Sequence, residues 1–266
     1  MKIGILGGAG RMGQMIAREI LSKQYNAILS AAVDHAKSWA IGKDIGGILG
    51  GDPYGVCVTM DKAAAFKASD VLIDFTSPDA ATEHAALAAQ HKKKLVIGTT
   101  GLSADHEAAL RAAGEKTAVL YSANMSVGVN LLMSLVEQAA KKLDIDFDIE
   151  IFEAHHKHKV DAPSGTALAL GNAAAKGRGV DLKNVLVSAR SGHTGVRPAG
   201  AIGMSVFRGG DVVGDHTVTF AGTGERLELS HKASDRGLFA KGALKGALWL
   251  KDRPAGLYSM HDVLEL

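Results

Sequence analysis

The chain has a single cysteine, Cys57. That excludes an intrachain disulfide framework and any all-cysteine metal site. Aromatic residues are only 5% of the total, too few for a surface on which nucleic-acid bases stack. Charge of one sign is also lacking: 30 Lys and Arg face 28 Asp and Glu, for a formal net charge of +2. This excludes a strongly basic nucleic-acid binder and an acidic solvating tail, though not a local basic patch. No apolar run approaches the ~18 residues of a membrane span. Residues 2–6 are too short for the apolar core of a signal peptide and run into glycines. The expectation is a cytoplasmic protein with neither membrane nor nucleic acid as partner. Glycine, by contrast, is abundant, 32 of 266 residues, or about 12% against a usual ~7%. The glycines are spread along the chain, which suggests turns and close backbone approaches. With 47% apolar and 22% charged residues, a chain of this length suits one large globular domain or two modest ones.

The first 125 residues alternate short strand-like runs with helical ones. Strand signals fall at 2–6, 28–33, 71–75, 95–98 and 119–122. Helical spacing falls at 11–23, with Met12, Met15, Ile16 and Ile20 on one side, and at 79–90 and 103–113, the last with Ser103 as its cap. This alternation predicts parallel βαβ units with helices on both faces. After about residue 126 the pattern changes. A long amphipathic helix at 127–142 precedes a strand at 147–155 and a helix at 164–175. Strands around 186–189, 202–207, 216–220 and 227–230 follow, joined by glycine-containing links. Consecutive strands with such links favour an antiparallel or mixed sheet. A last helix at 238–250 is assigned back to the first domain. The expected fold is therefore α/β, with a Rossmann-type dinucleotide-binding domain (residues 1–125 and 236–266) and a smaller α+β domain with a mixed sheet (126–235).

Gly8-Ala9-Gly10-Arg11-Met12-Gly13 fits G-x-G-x-x-G, directly after a strand and opening a helix. Missing side chains let the backbone turn tightly and approach a pyrophosphate, which faces the free amides of the following helix. Asp34 ends the second strand, 21 residues beyond Gly13, where an acid can bind the ribose hydroxyls of an adenosine. The competing reading is a tight turn with no ligand. Arg11 has two readings on spacing alone, a phosphate partner or a solvated arginine at a helix start. Asp34 repels a 2′-phosphate and favours NADH, whereas His35 and Lys37 attract one, so the expected preference between NADH and NADPH is relaxed. Gly98-Thr99-Thr100-Gly101 and Ser122-Ala123-Asn124-Met125 also follow strand-like runs. Ligands of open α/β sheets lie beyond the carboxyl ends of the strands, so both loops are placed for the nicotinamide end. Ordinary turn chemistry competes with that reading.

The most unusual segment is Glu153-Ala154-His155-His156-Lys157-His158-Lys159-Val160-Asp161-Ala162-Pro163-Ser164-Gly165-Thr166. Three histidines and two lysines occupy five consecutive positions at the end of a strand. Such a cluster offers protons near neutral pH and a field that attracts an anion. Ser164 then fits a helix cap, and Gly165 and Thr166 present free amides to a small carboxylate. Two readings compete: a histidine metal site, against which Lys157 and Lys159 argue, and a solvated basic loop. A mildly basic loop, Ser191-Gly192-His193-Thr194-Gly195 through Arg197-Pro198, is either a substrate cover or an ordinary connection.

These residues resemble the dihydrodipicolinate reductase family, also called 4-hydroxy-tetrahydrodipicolinate reductase. The resemblance runs over essentially the whole chain, most specifically at EAHHKHKVDAPSGTA (153–167). Supporting blocks are GGAGRMG (7–13), IDFTSP (73–78), VIGTTG (96–101), SANMSVGVN (122–130), GHTG (192–195), VGDHTV (213–218) and GERLELSHKASDR (224–236). The resemblance implies NADH- or NADPH-dependent reduction of a small cyclic dicarboxylate to tetrahydrodipicolinate in lysine biosynthesis, without a metal, by a homotetramer. It implies acid/base roles for His155 and Lys159. Substrate-carboxylate contacts fall to His156, Gly165 and Thr166. Cofactor contacts fall to Gly7, Gly8, Ala9, Gly10, Arg11, Met12, Asp34, Gly98, Thr99, Thr100, Ser122, Ala123, Asn124 and Met125. Two departures stand out: His35 where members often carry Arg, and Met125 where Phe is familiar. The alternatives from other classes are a non-catalytic dinucleotide sensor and a reductase of another small dicarboxylate.

Overall fold

The structure is a computed structural model that describes residues 1–266. Two compact units divide the chain, Met1–Val127 with Gly237–Glu265, and Gly128–Arg236.

In the first unit β1 (Lys2–Leu6), α1 (Arg11–Leu21), β2 (Ile28–Val33), α2 (Ile45–Ile48), β3 (Val58–Thr59), α3 (Lys62–Ala68), β4 (Val71–Asp74), α4 (Pro78–His91), β5 (Lys94–Ile97), α5 (Ala104–Gly114) and β6 (Ala118–Tyr121) follow one another. The strands form a seven-stranded sheet in the order β12-β6-β5-β4-β1-β2-β3, where β12 is Gly256–Tyr258 from near the carboxyl end. Every pairing in it is parallel. Parallel strands need helical crossovers, and these cover both faces. Apart from their end residues the central strands are accordingly apolar, with Ile3, Ile5, Leu72, Ile73, Val96 and Leu120 fully buried. α9 (Gly237–Trp249) and α10 (Met260–Leu264) complete the unit. Ala240, Ala243, Leu244 and Ala247 of α9 share a core with Ile16 and Ile20 of α1.

The second unit contains α6 (Val127–Lys142, whose first residue counts with the first unit), β7 (Asp148–His155), α7 (Gly165–Gly177), α8 (Leu182–Val185), β8 (Leu186–Val187), β9 (Ile202–Arg208), β10 (Gly214–Gly222) and β11 (Glu225–Ala233). Its sheet has five strands in the order β11-β10-β7-β9-β8. β10 runs antiparallel to both β11 and β7, while β7, β9 and β8 are mutually parallel, so the sheet is mixed. One face packs under α6 and α7, through Leu132, Val136, Leu170, Ala174, Ile149, Ile151, Val218 and Phe220. Phe152, Val206, Phe207 and Leu227 remain exposed.

The elements missed by sequence spacing are short: α2, α3, β3, α8, β12 and α10. The strand expected at 186–189 shrinks to Leu186–Val187, because an edge pairing with β9 alone supports it.

Candidate active site

The glycine loop lies at the point where strand order reverses. β1 is flanked by β2, reached through α1, on one side and by β4 on the other. The segments leaving β1 and β4 therefore diverge, which opens a crevice at their carboxyl ends. Gly7 adopts a positive φ of 80°, and its amide and that of Gly8 both donate to the Val33 carbonyl, at 2.9 and 2.8 Å. A Cβ on Gly13 would run into the Gly7 carbonyl oxygen, so this glycine permits the close helix–strand approach. Gly10 caps α1 with no side chain of its own. Asp34 closes the loop from β2: its carboxylate accepts from the Ala9 amide at 3.0 Å and from the His35 amide at 2.8 Å.

A cavity of about 640 Å³ opens here, lined among others by Gly7, Gly10, Asp34, Lys37, Thr76 and His84. Its glycine floor, acidic rim and volume fit a dinucleotide's adenosine and phosphates. His35 is exposed, with its ring 3.8 Å from the Asp34 carboxylate. Arg11 is exposed and Met12 half-buried.

Beside the cavity stands a carboxylate that spacing did not single out. Asp74 ends β4 fully buried. One oxygen meets His84 Nδ1 of α4 at 2.6 Å. The other accepts from the Thr76 amide at 2.8 Å, the Thr76 hydroxyl at 2.6 Å and the Thr99 hydroxyl at 3.3 Å. It thereby ties the turn after β4 to the turn after β5. Gly98 lies under the Phe75 ring, which a Cβ would strike. Thr99 is buried and Thr100 exposed. In the turn after β6, the Ser122 hydroxyl donates to the Asn124 carbonyl at 2.7 Å, and Ala123 is exposed. The Met125 side chain belongs to the core of the first unit.

In the second unit the basic segment leaves β7. Strand alternation puts Glu153 and His155 on one face, and both are buried. His155 Nδ1 meets Glu153 Oε2 at 2.6 Å. The turn between β9 and β10 then holds the segment: the His156 amide donates to the Val212 carbonyl at 2.7 Å, and the Gly209 amide to the His155 carbonyl at 3.0 Å. Lys159 Nζ pairs with Asp161 at 2.8 Å, which holds the Asp161 carboxyl below its usual range. Partial burial, then the positive charge of Arg236, push the His156 imidazole below its ordinary value. Ser164 caps α7, its hydroxyl accepting from the Ala167 amide at 3.1 Å. Gly165 is exposed and Thr166 half-buried at the first two positions of the helix. No group of His, Cys, Asp and Glu is arranged to hold a metal ion.

Two partners of this segment lie far away in sequence. Arg208 at the end of β9 grips Glu153 with both guanidinium nitrogens, each at 2.7 Å. His216 of β10 lies across from Glu153. Its Nε2 is 3.1 Å from the Ser164 hydroxyl, and its ring meets His155 edge-on with centroids 5.2 Å apart. Burial, then the neighbouring His155, push the His216 imidazole down to about 4. The VGDHTV block contains His216, but spacing alone could not pair it with Ser164. Arg197, by contrast, is fastened to the start of β7, donating to Asp148 at 2.6 Å, Glu150 at 2.8 Å and the Ile149 carbonyl at 2.9 Å. That lies at the opposite end of the strand from His155, roughly 20 Å away at strand rise.

Fold and clusters put the chain among the oxidoreductases that combine a nucleotide-binding parallel sheet with a separate sheet bearing the reactive side chains. Residues 1–125 match the family described as "Dihydrodipicolinate reductase, N-terminus", and residues 128–264 match "Dihydrodipicolinate reductase, C-terminus". The chain belongs to the dihydrodipicolinate reductase family. It is 55% identical to the 4-hydroxy-tetrahydrodipicolinate reductase of Rhizobium rhizogenes, over 100% of this chain and 97% of that one. Identity to the 4-hydroxy-tetrahydrodipicolinate reductase of Methylocella silvestris is 53%, again over 100% of this chain and 97% of the other. Among solved structures, dipicolinate-bound dihydrodipicolinate reductase from Paenisporosarcina sp. TG-14 superposes with a TM-score of 0.77 at 25% identity, covering 97% of both chains. An amine dehydrogenase from Mycobacterium smegmatis, 14% identical with a TM-score of 0.61 over 97% of this chain and 94% of that one, shares the fold alone.

Proposed function

We propose that the chain reduces 4-hydroxy-tetrahydrodipicolinate to tetrahydrodipicolinate with NADH or NADPH, on the diaminopimelate route to lysine, and that His155 and Lys159 are its proton source. The observation that carries this reading is one buried carboxylate, Glu153, bonded both to the His155 ring and to the Ser164 amide that opens α7. A proton donor and an anion-binding helix start thus stand on a common support.

Overall the reaction takes up a hydride and a proton and releases water. When bound, the reduced nicotinamide supplies the hydride. Gly165 and Thr166 offer helix-start amides to a substrate carboxylate, with Ser164 setting the cap and His156 alongside as a neutral imidazole. His155 presents Nε2, since Nδ1 is engaged by Glu153. A Cβ on Gly214 would come within 3.0 Å of that Nε2, so the glycine keeps its approach open. The Lys159 ammonium adds positive field where negative charge develops on the substrate ring. In the first unit, residues 7–12, 98–100 and 122–125 together with Asp34 serve the dinucleotide. Asp34 favours a free ribose hydroxyl, while His35 and Lys37 offset its repulsion of a 2′-phosphate, which supports use of both dinucleotides.

A homotetramer and a cytoplasmic location go with this reading. Phe152 and Phe207 lie on the face of the second sheet away from α6 and α7 and stay exposed, and β11 is a long edge strand of the kind that another chain covers. The test is spectroscopic. NADH or NADPH absorbance should fall only when substrate is present, and His155→Ala and Lys159→Ala should each lower kcat by ~10²-fold or more. A folded double variant with near-normal turnover would overturn the assignment.

A further inference from the structure

We propose that Glu153 is a positioning residue for the reduction: a single buried carboxylate, held by Arg208, that fixes the His155 ring in its proton-donating orientation and sets the start of α7 beside it. The inference rests on the proton-donor role of His155 proposed above.

Glu153 is wholly shielded from solvent. A buried carboxylate that only had to be neutralised would need no more than its arginine, and Arg208 already makes the two-pronged pairing. Two further donors nevertheless converge on it. His155 Nδ1 reaches Oε2 at 2.6 Å, and the Ser164 amide reaches Oε1 at 2.9 Å. Each oxygen therefore serves one Arg208 nitrogen and one part of the site. Arg208 is itself anchored to the segment, donating to the Asp161 carbonyl at 2.7 Å. Sheet register makes this possible: His155 pairs with Arg208 across β7 and β9, and Glu153 with His216 across β7 and β10.

The chemical consequence follows from the imidazole's two nitrogens. A carboxylate accepting at Nδ1 keeps the proton there, so Nε2 is left to exchange. Around His155 stand Arg208, its register partner on β9, His216 of β10, whose ring it meets edge-on, and His156, while His231 of β11 and Lys159 act on His216. Asp161 is occupied by Lys159, so Glu153 is the carboxylate in contact with the ring. Burial tends to raise the Glu153 carboxyl, but Arg208, His155 and the Ser164 amide outweigh it and hold the group ionised, below the usual carboxylate range.

The experiment compares Glu153→Gln, Glu153→Asp, His155→Gln and the Glu153→Gln/His155→Gln pair in the full-length protein, each checked for fold by circular dichroism. Glu153→Gln should lower kcat by ~10-fold or more, within the range of acid/base effects. Glu153→Asp should bring kcat back toward the wild-type value, and Glu153→Gln should cost little further in the His155→Gln background. No recovery in Glu153→Asp, or losses that multiply in the double variant, would overturn the proposal. Near-normal kcat in His155→Gln would instead sink the donor role of His155. Where Glu153→Gln fails to fold, the ¹⁵N resonances of the His155 ring in the wild-type protein decide: a proton on Nδ1 at alkaline pH is expected, and a proton on Nε2 overturns the proposal.

Discussion

Two buried carboxylates, one in each unit, hold a histidine in the same way and differ in everything around that bond. Asp74 meets His84 Nδ1, and Glu153 meets His155 Nδ1, both at 2.6 Å, and both acids are fully buried. Asp74 completes its shell with uncharged donors, an amide and two threonine hydroxyls. Glu153 completes its shell with a guanidinium and a helix-start amide. The first arrangement knots two βα turns together beside the cavity at the glycine loop. The second places a full positive charge behind the acid, keeps it ionised and leaves its histidine at the edge of a basic segment. One local motif thus stands in two different settings, uncharged in one unit and basic in the other, and the partners beyond the dyad make the difference.

The comparison breaks most visibly when each acid is removed. Glu153→Ala strands Arg208, whose side chain is only 19% exposed, and should cost about 3–5 kcal/mol, as for a broken buried pair. Asp74→Ala removes uncharged partners and should cost less, about 1–3 kcal/mol. Urea unfolding of the two variants measures both, and equal losses would mean that the arginine contributes nothing special.

Acid offers a second handle on the Glu153 side. The His216 imidazole takes up a proton near 6.5 when unfolded but only near about 4 when folded. Between those values the unfolded chain holds more protons, so stability falls as pH drops through that window. The loss approaches about 3 kcal/mol at its lower end. The contribution of Glu153 disappears only at still lower pH, below the usual carboxylate range. Urea unfolding between pH 7 and pH 4 should therefore show a slope that His216→Gln flattens.

A finer contrast is kinetic. Asp74→Asn should raise KM for the dinucleotide by roughly 10-fold, the equivalent of about 1.4 kcal/mol, with kcat little changed. Glu153→Gln should act on kcat. Reversed behaviour would mean that the two dyads have been assigned to the wrong tasks.

Much of this was legible in the sequence where the physics is local. The glycine loop reads directly because an absent side chain is itself the signal. Ser103 and Ser164 read as caps because a hydroxyl before a helical run has few other uses; Ser103 accepts from the His106 amide and Ser164 from that of Ala167. His155 and Lys159 stood out by sheer density of basic groups. Arg208 and His216 did not, because they reach Glu153 and Ser164 through strand register, across 55 and 52 residues respectively. Pairing between strands that distant leaves no trace in spacing. Nor does β12, a three-residue strand that exists only because β6 offers it an edge. The distant partners of Arg197 were equally invisible: spacing left its loop open between a substrate cover and an ordinary connection, and register fastens it to Asp148, Ile149 and Glu150 at the start of β7.

The most direct test of the account is kcat for a folded His155→Gln variant, taken beside its dissociation constant for NADH. The expected result is a fall in kcat of ~10²-fold or more while NADH binds as tightly as to the unaltered chain, since His155 and the glycine loop belong to different units. Turnover close to that of the unaltered chain would contradict the central claim that the second unit's buried dyad delivers the proton.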